Sequence, residues 1–267
     1  MQVGKASLRF EHPAFVASWA SVAGKKEGQG PLADEIDVKE QDETFGMENW
    51  EQAESAMQKQ AADLALEKGN IHRREVRYLF AGDLLGQLIA TSFGTVDLEI
   101  PLFGLYGACS TMGEALGLGA MCVNAGYADR VLTLASSHYA TAEKQFRFPL
   151  GYGNQRAQSA TWTVTGCGAV VLESGSEMKR EGACSEKNSE TAMKQAETGG
   201  NGMGRKNHRF RVAVTGITTG KLVDMGTKDS MNMGAAMAPA AWNTIRQNFE
   251  DFGVDASYYD RIITGDL

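Results

Sequence analysis

The chain has 267 residues, of which 43% are hydrophobic and 22% charged, and its formal net charge is −7. This length and composition suit one large core or two ordinary ones and exclude a disordered chain or a small disulfide scaffold. The acidic balance argues against nucleic acid as a partner. No apolar run approaches about 18 residues, and Met1–Phe10 has no apolar core, so we expect neither a transmembrane helix nor a signal peptide.

Hydrophobic periodicity predicts alternating helices and strands in the first two thirds of the chain. The predicted elements are a helix at 48–68, strands at 76–81 and 101–106, a helix at 110–124, a buried strand at 131–136 and a bent strand pair at 160–173. Strands that alternate with helices are typical of an α/β domain, so we predict a mostly parallel sheet.

Residues 176–207 differ from the rest because they contain no Leu, Ile, Val, Phe, Trp or Tyr. Such a stretch cannot bury enough apolar area to order itself, so we interpret it as a polar linker or insertion. It would separate an N-terminal half, residues 1–175, from a partial C-terminal half, residues 208–267. The predicted elements after it are a strand at 212–214, a helix at 233–249 and a strand at 260–264.

The two halves resemble each other. Residues 77–84 align with residues 260–267, and each copy follows an amphipathic helix and an aromatic-bearing turn. A match with the same order and context indicates an internal duplication. By repeat symmetry the second half would lack roughly 89 residues, so we expect a chain truncated at its C-terminus.

Cys109 is the most informative candidate for chemistry. Small residues separate the strand before it from the helix after it, which places the thiol at a helix N-terminus. The helix dipole and free N–H groups there favour a thiolate, as in the elbows that present nucleophiles in hydrolases. The alternative is a small buried cysteine, because free cysteines are often buried.

Ser136, Ser137 and His138 follow the predicted strand at 131–136. The carboxyl ends of parallel strands carry ligand sites, so His138 could face the same pocket as Cys109. The alternatives are a structural histidine and serines that merely end the strand. Three nearby cations suit carboxylate recognition or are ordinary surface charge: Lys144, Arg147 and Arg156. No glycine fingerprint follows a strand and no CxxC pair occurs, so we expect no cofactor and no metal site.

Several segments together resemble the stage V sporulation protein AD family of the thiolase-like superfamily. They are residues 24–32, residues 104–111 around Cys109, residues 136–138 with 143–147, and residues 219–221 with 232–241. The resemblance implies a thiolase-like fold, with two duplicated α/β halves in five layers (αβαβα) and the second half incomplete. It also places Cys109 where thiolases and ketoacyl synthases carry their nucleophile.

The resemblance breaks at the partner of that nucleophile. The condensing enzymes place a histidine after the second strand of their second half, where this chain has Gly265 and Asp266. A carboxylate opposes a developing oxyanion instead of stabilising it. We therefore interpret Cys109 as a vestigial nucleophile and expect a non-catalytic binder. The alternative is an active acyl-transferring enzyme that uses Cys109.

The resemblance also implies a ligand. The family is linked to dipicolinic acid, pyridine-2,6-dicarboxylate, and to its uptake with calcium into the forespore. By match to the family pocket, the ligand-binding residues would be Cys109, Ser136, Ser137 and His138, with Asp129 a weaker candidate because a carboxylate repels the dianion. The implied partners are membrane-embedded sporulation proteins of the same uptake system and a second copy in a homodimer. The implied location is peripheral, at the cytoplasmic face of the forespore inner membrane. A third hypothesis is a scaffold whose main role is to dock to those membrane partners.

Overall fold

The computed structural model describes residues 1–84, 87–146, 163–177, 212–229 and 232–265. The described elements are β1 Gln2–Val3, β2 Ser7–Ala23, β3 Val38–Lys39, α1 Trp50–Gly69, β4 Tyr78–Asp83, α2 Ile89–Thr95, β5 Leu102–Gly104, α3 Thr111–Asn124, β6 Arg130–Ser137, α4 Tyr139–Phe146, β7 Gly166–Glu173, β8 Ala213–Thr218 and α5 Gly234–Phe252. The predicted α/β class is confirmed.

The strands form one sheet in the order β1-β2-β7-β6-β4-β5, and β3 and β8 also pair with β2. β4 runs parallel to both β5 and β6. β7 is antiparallel to β6 and to β2, and β8 is antiparallel to β2. The prediction of a mostly parallel sheet was therefore wrong. Alternation of helices and strands leaves strand direction open, and here the long connection from β6 to β7 returns the chain antiparallel.

The long strand β2 was missed by the sequence analysis. It pairs with β7 over residues 15–23 and with β8 over residues 7–15. The register shifts between Val16 and Ser18 and again between Arg9 and Ala14. Each irregularity moves the side chains to the other face of the sheet, so the alternation that marks a strand in sequence is lost.

Helices cover both faces of the sheet. α1 buries Met57 and Ala61 against Leu79 and Leu132 on one face. α3 packs on the other face, in the cluster that contains Phe80. Consecutive strand residues such as Leu79 and Phe80 point to opposite faces, which explains how β4 and β6 supply both clusters. The described residues thus form three layers, α on β on α, of the five that the resemblance implies.

α1 begins and ends close to its predicted bounds. The Asn49 side chain caps its N-terminus by accepting the N–H of Gln52 at 2.9 Å. Asn70 ends the helix in the left-handed conformation, with φ of 52°. The small side chains of Ala53, Ala61 and Ala65, all fully buried, let the helix lie close to the sheet.

Two expectations for the later part of the chain were wrong. Residues 260–264 form no strand, and Ile263 is 86% exposed. A strand needs a hydrogen-bonded neighbour, and no described segment pairs with these residues. The bent strand pair at 160–173 is a single described strand, β7. The helix predicted at 233–249 is confirmed as α5. Asp266, Arg147, Arg156 and residues 178–207 lie outside the described residues.

Candidate functional site

Cys109 lies in a tight turn between β5 and α3, as the sequence predicted. Leu105 N–H donates to Ala81 O at 2.8 Å, which keeps the turn against β4. Gly82 permits this approach, because a Cβ there would lie 2.2 Å from Leu105 O. Ala108 has a φ of 48°, a left-handed conformation that turns the chain sharply before the cysteine. The thiol of Cys109 is exposed.

Ser136 and Ser137 lie at the carboxyl end of β6 and point to opposite sides. Ser136 is buried, and its Oγ donates to Glu54 Oε1 on α1 at 2.7 Å. Ser137 Oγ donates instead to Val164 O at 2.5 Å. The period-two geometry of the strand places the two hydroxyls on opposite faces of the sheet.

His138 is buried, and both of its ring nitrogens have partners. Nδ1 accepts the N–H of Ala140 at 3.2 Å, so it carries no proton. Nε2 lies 2.9 Å from Glu43 O and therefore donates to that carbonyl. Burial lowers the pKa of His138, although hydrogen bonding to Glu43 acts in the opposite direction. The ring is therefore neutral at pH 7 and held in one tautomer.

A cavity of about 340 Å³ opens beside His138. Lys25 and Lys26 come from the loop after β2, and both are exposed. Trp50 at the start of α1 and Tyr139 at the start of α4 supply aromatic surface. The lining therefore includes two exposed cations and two aromatic side chains.

Three carboxylates also line the cavity, those of Glu27, Glu43 and Glu143. Glu27 Oε1 accepts the N–H of Thr165 at 3.1 Å. Glu143 is buried, and its Oε1 accepts from Thr163 Oγ1 at 3.3 Å. Glu27 and Glu143 thus each accept a hydrogen bond from the segment before β7. These bonds connect that segment to the loop after β2 and to helix α4.

A buried polar network lies behind the cavity. Gln58 Nε2 donates to Ser136 Oγ at 2.7 Å and to Thr91 Oγ1 at 3.1 Å. Thr91 Oγ1 donates in turn to Asp83 Oδ2 at 2.6 Å, and both of these residues are fully buried. Glu54 completes the network, and burial raises its pKa to about 7. This network fixes the carboxyl ends of β4 and β6 against α1.

The structure brings one of the five sequence-predicted residues into the cavity. His138 lines it, and Ser136 lies in the network behind it. Cys109 and Ser137 lie outside the lining. Asp129 is exposed at the opposite end of β6, where it accepts from Ser174 Oγ at 3.3 Å, so its position separates it from the cavity. Lys144 is exposed and pairs with Glu51 at 3.6 Å.

Three features of this site were not predicted from the sequence. Lys25 and Lys26 belong to a segment that carries the family resemblance, but nothing in their spacing points to a ligand. Trp50 lies at a helix start, where an aromatic residue is unremarkable in sequence. Glu54 and Gln58 did carry a signal, because two polar residues four positions apart adjoin the apolar positions of α1.

Within the described ranges, no cluster of three or more His, Cys, Asp or Glu side chains suits a metal ion. No helix among these residues combines the length and apolar character needed to cross a bilayer.

A sheet that is covered by helices on both faces defines an α/β protein. In this one, the turn between β5 and α3 presents Cys109. A family model described as stage V sporulation protein AD matches residues 4–267. The stage V sporulation protein AD of Bacillus subtilis (strain 168) is 38% identical over 264 residues, which are 99% of this chain and 68% of that relative. The chain belongs to the stage V sporulation protein AD family, as the resemblance implied, and its role lies in sporulation.

Solved structures with similarity to the chain include two proteins from Xanthomonas species. For 3-oxoacyl-(acyl carrier protein) synthase III, FabH, of Xanthomonas oryzae pv. oryzae, identity is 17% and the TM-score 0.42, over 62% of this chain and 57% of that one. For OleA of Xanthomonas campestris, identity is 16% and the TM-score 0.43, over 63% and 58%. The chain spans less than two thirds of the length of both.

Proposed function

We propose that this sporulation protein is a non-catalytic binder of dipicolinic acid, or of its calcium chelate, and takes part in dipicolinate uptake into the forespore. The observation that carries the proposal is the cavity of about 340 Å³ at the carboxyl end of β6, which Lys25, Lys26 and His138 line together. That volume lies at the small end of the range of about 300–1,000 Å³ that ligand pockets cover.

Dipicolinate matches the chemistry of this lining. Its two carboxylates would be bound by the ammonium groups of Lys25 and Lys26, because charge-assisted hydrogen bonds are strong. Its flat pyridine ring suits the aromatic surfaces of Trp50 and Tyr139. Calcium, when it accompanies the ligand, would bring positive charge next to Glu27 and Glu43, which would otherwise repel a dianion.

Acyl transfer by Cys109 is the second candidate. The position of Cys109 just before α3 favours it, but the thiol lies outside the cavity that His138 lines. It would therefore need another residue as its base. A mass shift of Cys109 after incubation with acyl-CoA, absent in Cys109→Ala, would support transfer; no adduct across chain lengths would reject it.

Calorimetry with dipicolinate tests the binding proposal. The double substitution Lys25→Ala with Lys26→Ala should weaken binding about tenfold or more, because a hydrogen bond to a charged group contributes about 1.5–3 kcal/mol. The matched control is Lys221→Ala with Lys228→Ala, two exposed lysines outside the lining, which should leave affinity unchanged. Picolinate, with one carboxylate, should bind more weakly than dipicolinate. No heat with the unmodified chain, or equal binding by both double variants, would reject the proposal.

Membership of the stage V sporulation protein AD family supports proposals for the partners and the location of this protein. We propose a peripheral protein at the cytoplasmic face of the forespore inner membrane, bound to membrane-embedded proteins of the same uptake system, and a homodimer. Sedimentation of the purified protein tests the dimer. Co-purification with integral membrane proteins that survives the Lys25→Ala, Lys26→Ala change would show docking that is independent of ligand.

A further inference from the structure

Glu54 is connected to both ends of the segment that carries His138. Its Oε1 accepts from Ser136 Oγ at 2.7 Å, two residues before the histidine. Its Oε2 lies 3.2 Å from Thr141 Oγ1, three residues after it. One buried carboxyl on α1 therefore contacts the end of β6 and the first turn of α4, and His138 and Tyr139 lie between these contacts.

Thr141 has two competing acceptors. Its Oγ1 lies 3.2 Å from Glu54 Oε2 and 2.9 Å from His138 O. A hydroxyl has one proton and donates to one of them at a time. When Glu54 is protonated at Oε2, it donates to Thr141 Oγ1 and the Thr141 proton bonds His138 O. When Glu54 is ionised, its negative oxygen attracts the hydroxyl proton of Thr141. His138 O then loses the hydrogen bond from Thr141 and accepts only the N–H of Ala142, at 3.0 Å.

The charged groups around Glu54 favour its neutral form. Asp83 on β4 and Glu51 on the same helix raise the pKa of Glu54, and the Cys167 thiol on β7 is near enough to be affected by its charge. Lys144 on α4 pairs with Glu51 instead, at 3.6 Å. With burial as the largest cause, the pKa reaches about 7, so both protonation states are populated near neutral pH.

We propose that Glu54 is a positioning residue for the His138 cavity, whose protonation fixes Thr141 on the His138 carbonyl and whose ionisation releases it and weakens the binding of an anionic ligand. The inference deepens the proposed function and rests on it. Two effects act in the same direction. Ionisation of Glu54 weakens the hydrogen bonding in the first turn of α4. It also places a further negative charge near the cavity, where it repels a bound dianion.

Calorimetry with dipicolinate across about pH 6 to pH 8 tests the proposal, because both ligand carboxyls stay ionised and His138 stays neutral over most of that range. Affinity should fall by about fivefold or more as pH rises through the Glu54 transition, a typical size for coupled binding events. Glu54→Gln should bind with a flat pH profile, because its amide donates to Thr141 as the protonated acid does. Glu67→Gln, an exposed change on the same helix, should keep the fall. The same fall in Glu54→Gln, or a flat profile in the unmodified chain, would overturn the proposal.

Amide hydrogen exchange gives a readout that needs no ligand. Protection of the amides at 138–142, corrected for the intrinsic rate, should drop over the same pH range in the unmodified chain and stay constant in Glu54→Gln. If dipicolinate fails to bind at any pH, the proposed function fails while exchange still decides the role of Glu54. Protection that is independent of pH in the unmodified chain would reject that role.

Discussion

Ser136 at the end of β6 and Glu54 on α1 share a hydrogen bond of 2.7 Å between two buried side chains. This bond connects the sheet edge that carries His138 to the helix that carries Trp50. His138 and Trp50 line the same cavity. We therefore expect the stability of the fold and the affinity of the site to depend on the same pair.

Fold stability should fall as pH rises from about 5 to about 8. The pKa of Glu54 is 4.5 when unperturbed and about 7 in the fold, so the unfolded chain loses its proton first. Between these two pKa values the folded state binds more protons than the unfolded state, so the free energy of unfolding decreases as pH rises. The full decrease, about 3 kcal/mol, is reached above pH 7. Urea denaturation at both pH values should show this loss in the unmodified chain and little of it in Glu54→Gln. Equal pH dependence in both would contradict the assignment.

Removal of the Ser136 hydroxyl should destabilise the fold. Ser136→Ala leaves Glu54 Oε1 without its donor and Gln58 Nε2 with one acceptor fewer. Loss of such buried partners costs about 1–3 kcal/mol. Chemical denaturation measures it, and Ser92→Ala, an exposed helical serine, serves as the control that should change little. A Ser136→Ala protein as stable as the unmodified chain would show that water replaces the hydroxyl.

The Cys109 turn should depend on the absence of a side chain at Gly82. In Gly82→Ala the new Cβ would lie 2.2 Å from Leu105 O and 2.6 Å from Thr111 Cγ2, so the turn must move away from β4. Overpacking of this kind costs about 1–3 kcal/mol. Thermal unfolding should detect the loss, whereas Gly168→Ala, where a Cβ meets nothing within 4 Å, should be tolerated. A lower melting temperature for Gly168→Ala alone would contradict this packing.

The described cysteines should differ in reactivity. Cys109 is exposed, so an alkylating reagent should modify it in the folded protein at neutral pH. Cys167 is buried on β7, and burial raises the pKa of its thiol well above the usual range. It should react only after denaturation, which peptide mass spectrometry can follow. Rapid modification of Cys167 in the folded protein would show that β7 opens readily.

The sequence predicted those elements whose pattern is local. α1, α3, β4 and β6 have clear periodicity and clear ends, and the structure places them within a few residues of their predicted bounds. β2 was not predicted because its register shifts break the alternation of side chains on which a strand prediction depends. The direction of β7 was not predicted because the long connection from β6 sets it, and the sequence of the strand does not.

The candidate site shows the same limit. His138 was predicted from its place after β6, and the structure puts it in the cavity wall. Its expected neighbour Cys109 lies outside that wall, in the turn between β5 and α3. Lys25 and Trp50 reach the cavity from distant parts of the chain, and only the packing of the loop after β2 against α1 and α4 brings them together.

A structure of the protein with dipicolinate bound tests the central claim most directly. We expect ligand density in the cavity beside His138, with the carboxylates at Lys25 and Lys26 and the ring against Trp50. Density beside Cys109 with the cavity empty would contradict it.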